Sequence, residues 1–279
     1  MAAFKDLLVV LDTGRSCETR LDVATGLATR FGAHLTGLYT SPTPQVPAMM
    51  ESQITPELIE AQMRTLSAAT DRVQELFRRR GEGPGFTAEW RAREGDAGEV
   101  ALLHARYADL AIVGQADPDS DGLGSTEDLP VRVVMGAGRP VLVVPYAGKF
   151  ATVGRRVLVA WNAGREATRA VNDALPLLEG ASRVTVLAVN PRGGIHGHGE
   201  LPGADIALHL ARHGVRAEAS ALTSDDVEIG ALLLSQAADL DADLIVMGAY
   251  GHSRLRELML GGATREILRS MTVPVLLSH

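Results

Sequence analysis

The chain has 279 residues, 46% of them hydrophobic and 4% aromatic, with a formal net charge of −7 and a single cysteine. That length holds one large or two ordinary domains around a sizeable core. The charge offers no basic field to gather nucleic-acid phosphates, and a lone Cys17 excludes an internal disulfide and fits a reducing compartment. Leu7–Leu11 is too short for a secretory apolar segment and is ended by Asp12, and no apolar run reaches membrane-spanning length. The expectation is a soluble cytoplasmic protein with no nucleic-acid or membrane partner.

Asp6–Asp12 opens the chain as a buried-type strand ending in a carboxylate, and Thr13–Ser16 is a turn and helix start. Leu21, Ala24, Leu27 and Ala28 then repeat at helical spacing. Cys17, at that helix start, reads as an ordinary small helix residue. Ala33–Tyr39 is a second strand, and prolines 42, 44 and 47 mark an extended segment. A long helix is predicted over Thr55–Arg80, a third strand over Phe86–Arg91, a helix over Gly98–Tyr107, and strands over Ala108–Gly114 and Pro140–Val144.

After a linker at Tyr146–Phe150 the pattern starts again. Arg156–Asn162 matches the first strand, with Asn162 where Asp12 stood. An amphipathic helix over Arg165–Leu178, a strand over Arg183–Asn190, a glycine-rich loop, and a helix over Ala204–Arg212 follow. Val215–Leu222 is a strand, Val227–Leu240 a helix, Ala242–Gly248 a strand, and Val273–Leu277 the last strand. Ala108-Asp109-Leu110, Gly114 and Pro140 recur as Ala242-Asp243-Leu244, Gly248 and Pro274, each 134 positions on. One offset around a loop of unchanged length argues for duplication. Alternating strands and helices require parallel pairing. The chain is therefore expected to be α/β, with two tandem doubly wound five-stranded parallel-sheet domains at 1–147 and 153–279 and ligand space at the C-terminal strand ends.

The most informative stretch runs from Gly248 to Thr264. An apolar strand ends in Gly248, Gly251 follows, and Gly261-Gly262-Ala263-Thr264 opens a helical pattern. Glycines let a backbone approach a ligand closely, and a helix start offers unpaired N–H groups to an anion. Gly248, two residues, Gly251, nine residues and Gly261 together resemble the nucleotide-loop signature of the universal stress protein family. ATP-binding members follow that last glycine with serine or threonine; here Gly262 stands there, and Thr264 lies two residues on.

The resemblance covers nearly the whole chain. It implies a Rossmann-like, adenine nucleotide alpha hydrolase-like fold with strand order 3-2-1-4-5 and a pairing of the two domains about a pseudo-twofold through their last strands. It also implies stress adaptation through an adenine-nucleotide (ATP, or AMP or ADP) binding module. The site it implies is in the second domain: Asn162 where the family usually has an adenosine-contacting aspartate, the backbone of Val189 at adenine, and Gly248, Gly251, Gly261, Gly262, Ala263 and Thr264 around ribose and phosphates. His252, Ser253 and Arg254 would reach phosphate oxygens.

Two rival classes stay open, a nucleotide-independent interaction scaffold and a slow ATP hydrolase. No Walker loop, dinucleotide fingerprint or nucleophile elbow is present, and no base–nucleophile dyad commits the chain to catalysis, so no catalytic residue is assigned. His196, His198, His209 and His213 invite a metal, but no fixed ligand spacing supports one, and a solvated loop and helix face is the preferred reading. In the first domain the 134-residue offset sets Asp117, Glu127, Asp128 and Pro130 opposite Gly251, Gly261, Gly262 and Thr264. Acids there repel phosphate, so that domain is expected to bind no nucleotide. The short apolar strands at Val141–Val144 and Val275–Leu277 are expected to meet each other within one chain, which leaves a homodimer open as well.

Overall fold

The computed structural model describes residues 3–43, 55–81, 83–119, 128–191, 201–224, 226–250 and 262–279. Its first half contains β1 (Asp6–Leu11), α1 (Cys17–Phe31), β2 (His34–Ser41), α2 (Pro56–Gly81), β3 (Thr87–Glu94), α3 (Ala97–Ala105), β4 (Leu110–Gly114), α4 (Leu129–Gly136) and β5 (Val141–Val144). The second contains β6 (Arg156–Trp161), α5 (Arg165–Asp173), α6 (Leu175–Leu178), β7 (Arg183–Val189), α7 (Ala204–Arg212), β8 (Ala217–Leu222), α8 (Ile229–Asp239), β9 (Leu244–Gly248), α9 (Gly262–Ser270) and β10 (Val275–Ser278).

Among the described residues all ten strands form one sheet, in the order β3-β2-β1-β4-β5-β10-β9-β6-β7-β8. Each half has the expected 3-2-1-4-5 order with parallel neighbours. The halves join where β5 and β10 pair antiparallel, Val143 opposite Val275 and Val141 opposite Leu277. The central strands β1, β4, β5 and β10 are continuous apolar runs because helices cover both faces of the sheet. One face packs on Leu21 of α1, Phe77 of α2, Val171 of α5 and Leu210 of α7. The other packs on Ala101 of α3, Val133 of α4, Leu233 of α8 and Ile267 of α9.

The repeated Ala-Asp-Leu motif has a structural role at the end of the sheet away from the strand C-termini. Asp109 accepts backbone N–H bonds from Lys5 (2.7 Å) and Asp6 (3.1 Å). Asp243 does the same for Gly154, Arg155 and Arg156. Each carboxylate thus secures the start of the first strand of its own half. The halves are also held by Gln115, just past β4, whose amide donates to the carbonyls of Leu268 and Arg269 at 3.0 Å. Its oxygen accepts from Tyr146 N–H at 3.1 Å.

Three expectations need correction. The single helix over Arg165–Leu178 is two, α5 and α6, divided at Ala174, because Pro176 has no N–H to continue the ladder and fits only at a helix start. The helix α4 was not foreseen; its valines favour strands, but Val133 and Val134 are buried and Pro130 sits in its first turn, where no N–H is needed. The third strand extends past Arg91 to Glu94 because β3 pairs with β2 all the way to Ser41. Pro44 and Pro47 lie outside the described residues.

Candidate functional site

At the C-terminal ends of β6, β7 and β9 lies a cavity of about 290 Å³. It sits at the topological switch point, where the chain leaves β6 and β9 in opposite directions around the sheet. Leu187 and Val189, two apart on β7, project into it from one face of the strand, and Ile229 and Leu233, four apart on α8, close the opposite side. Met247 and Ala160 complete an apolar interior, and Trp161, Asn162, Gly248, Tyr250 and Gly262–Thr264 form the polar rim.

Asn162 is held by its own turn: its Oδ1 accepts the Gly164 N–H at 2.9 Å. Gly248 is required by packing, since a Cβ there would collide with the backbone at Glu166 and Ala167. Thr264, only 4% exposed, accepts the Tyr250 N–H at 3.3 Å. The hydroxyl therefore ties the exit of β9 to the first turn of α9 and keeps its own O–H for a further acceptor. Burial raises the Tyr250 phenol above its ordinary pKa, with Arg265 opposing, so it stays a neutral donor. Ala163, Asn190 and Tyr250, just past β6, β7 and β9, all have positive φ (56°, 49° and 55°). Among the described residues of the first half, only glycines do. Side-chain-bearing residues held in this region mark backbone that its surroundings over-determine, as functional sites often require.

Of the residues singled out from the sequence, the cavity brings together Asn162, Val189, Gly248, Gly262, Ala263 and Thr264. Gly251, His252, Ser253, Arg254 and Gly261 lie outside the described residues, as do His196 and His198. His209 on α7 and His213 just after it have ring centroids 4.8 Å apart. Among the described residues no cluster of three or more His, Cys, Asp or Glu is placed to hold a metal, and no helix is long and apolar enough to cross a membrane. The walls Leu187, Ile229, Leu233 and Met247, and Trp161 on the rim, were not singled out beforehand. The i, i+4 pair on α8 carried a signal, but one shared by any core helix.

The same place in the first half is built differently. Asp12, 150 positions before Asn162, makes the same turn, accepting from Gly14 N–H at 2.8 Å. Its other oxygen accepts from Arg20 at 2.7 Å, with both side chains buried. The Arg20 guanidinium lies against Gly114, where any Cβ would strike it. The matching position on α5 is Ala170. Arg15, in the turn after β1, holds Asp117, beyond β4, through two bonds of 2.7 and 2.9 Å, and reaches Asp119 at 3.4 Å. Asp117 thus does not stand as a bare charge facing a ligand. It closes the mouth between the two strand ends. Thr40, the β2 counterpart of Val189, is 1% exposed. Asp128 and Pro130 belong to the start of α4, and Glu127 lies outside the described residues.

The family model of the universal stress protein family matches residues 154–279. The second half of the chain is thus similar to that family. A curated universal stress protein of Synechocystis sp. is 53% identical over 34 residues, which span 12% of this chain and 12% of that one. A solved universal stress protein from Archaeoglobus fulgidus superposes over 98% of this chain and 96% of its own, with TM-score 0.71 and 14% identity. A putative universal stress protein from Pseudomonas aeruginosa covers 99% and 93%, with TM-score 0.59 and 18% identity. At these identities the structures establish the fold, and they do so across both halves.

Proposed function

We propose that the cavity at the ends of β6, β7 and β9 binds an adenine nucleotide, and that the protein acts as a nucleotide-responsive binding module in stress adaptation. The observation that carries this is the convergence of Asn162, Val189, Gly248 and Gly262–Thr264 on one cavity. Its volume, about 290 Å³, is close to the lower bound for small-molecule sites. The apolar interior suits a flat base. Asn162 presents an amide to the nucleoside, and the first turn of α9 presents N–H groups and the positive end of a dipole to phosphate. Gly251, His252, Ser253, Arg254 and Gly261 complete the phosphate loop in this reading. ATP is the expected ligand, with AMP or ADP as the alternatives within the class.

One observation favours a second reading, an interaction scaffold without nucleotide. Asn162 carries no charge, and its oxygen is already engaged by Gly164. Mass analysis of the supernatant after heat denaturation of purified protein separates the two. Calorimetry then tests the site: Gly251→Val, which blocks backbone approach, and Val189→Phe, which fills the base cavity, should each weaken ATP binding about tenfold or more. Unchanged affinity in both variants, or no binding by the parent, rules the nucleotide reading out. Phosphate release over time separates a slow hydrolase from a sensor.

A further inference from the structure

We propose that β8 is a dimerisation edge, and that two copies of this chain pair β8 with β8 antiparallel so that their ten-stranded sheets run on as one. Among the described residues the sheet has two open edges, β3 and β8, and they are not alike. β3 carries Glu89, Arg91, Arg93 and Glu94, the kind of charged edge that discourages pairing. β8 reads Ala-Glu-Ala-Ser-Ala-Leu, and its Ala219, Ser220 and Ala221 are exposed. Its one charge, Glu218, is matched within the chain by Arg183 at 3.9 Å.

The hydrogen-bond register fixes which backbone groups are free. Val184 and Asn190 of the neighbouring strand donate to the carbonyls of Arg216 and Leu222. The even-numbered residues of β8 therefore turn toward β7, and alternation turns Ala217, Ala219 and Ala221 outward. The outward groups all belong to alanines, whose side chains obstruct an approaching strand least. A two-fold axis at Ala219 makes the register self-complementary. Ala219 exchanges both bonds with Ala219 of the partner subunit, Ala217 faces the partner's Ala221, and Glu218 faces the partner's Ser220, so no like charges are opposed.

The chain already uses this device at its centre, where β5 and β10 join the two halves antiparallel. A two-fold normal to the sheet also brings α7 of both copies to the same side of the seam. The end of β8 is pinned for pairing, since Asn190 and Ser224 exchange two bonds of 2.8 Å.

The test is the mass of the full chain by sedimentation across a concentration series, for the parent and three variants. In Ala219→Pro the lost N–H faces away from β7, so the chain's own sheet keeps its bonds. Ala221→Lys adds a charge to the same edge, and Glu94→Lys alters the opposite edge. The parent should sediment at twice the chain mass. The two β8 variants should shift the midpoint of dissociation about tenfold or more toward the monomer, with circular dichroism unchanged. Glu94→Lys should leave the mass as in the parent. A parent that stays monomeric throughout, a dimer indifferent to both β8 changes, or a dimer lost only with Glu94→Lys would each overturn the proposal. The readout does not depend on nucleotide, so it stands or falls separately from the ligand reading.

Discussion

Arg20 is a full charge at 1% exposure, at a place where the second half of the molecule has Ala170. Such a charge is tolerated only because Asp12 neutralises it. Arg20→Met should cost about 3–5 kcal/mol in urea unfolding, because it leaves the Asp12 carboxylate buried and unpaired. Adding Asp12→Asn should restore part of that loss, and a double variant as unstable as the single one would contradict the pairing account. Cys17 lies beside this pair and is 3% exposed. Burial pushes its thiol above the ordinary range, Arg20 opposing only in part. The native protein should therefore resist iodoacetamide near neutral pH and react fully once unfolded, as read by intact mass. Rapid labelling of the folded chain would show the thiol to be reachable as thiolate.

At the scale of elements, the seam between β5 and β10 is strengthened by one side chain from the first half. Gln115 is 5% exposed and bonds two carbonyls at the end of α9. Gln115→Ala leaves those carbonyls without their donor and should lower stability by about 1–3 kcal/mol. Urea unfolding of the variant checks this; a change within the scatter of surface substitutions would mean the seam rests on its apolar contacts alone. The strands were legible because buried parallel strands must be continuous apolar runs, and β1, β4, β6 and β9 are. The helix α4 was not, because its valines and Pro130 argue locally for something else and only burial against the sheet decides. Asn162, Val189 and Gly248 were legible as strand ends. The cavity walls Ile229 and Leu233 were not, since helical spacing alone does not distinguish lining a site from filling a core. The Arg15–Asp117 contact joins residues 102 positions apart. No local pattern announces it.

At the scale of the whole molecule, the two halves share one fold but treat the switch point between their first and fourth strands in opposite ways. In the second half it is an open cavity, with Tyr250 at positive φ among its lining residues. In the first, Arg20 engages the Asp12 oxygen left free by the turn, Arg15 bridges to Asp117 across the mouth, and Thr40 is buried. The expected reason for a non-binding first half was repulsion between acids and phosphate. The described acids instead have arginine partners, so closure of the crevice, rather than its charge, becomes the main obstacle. We therefore predict one nucleotide per chain. Equilibrium dialysis with labelled ATP should saturate at one equivalent in the parent and near zero in Gly251→Val. The Arg15 pair is exposed on the arginine side, so solvent screens it and it adds little to stability. Arg15→Ala should accordingly leave the fold intact and the stoichiometry at one, with Arg20 still in place. Two equivalents in the parent, the second lost when Asp117 or Asp119 is changed, would show that the first half opens to ligand after all. One equivalent that survives Gly251→Val but disappears with those same changes would move the site to the first half.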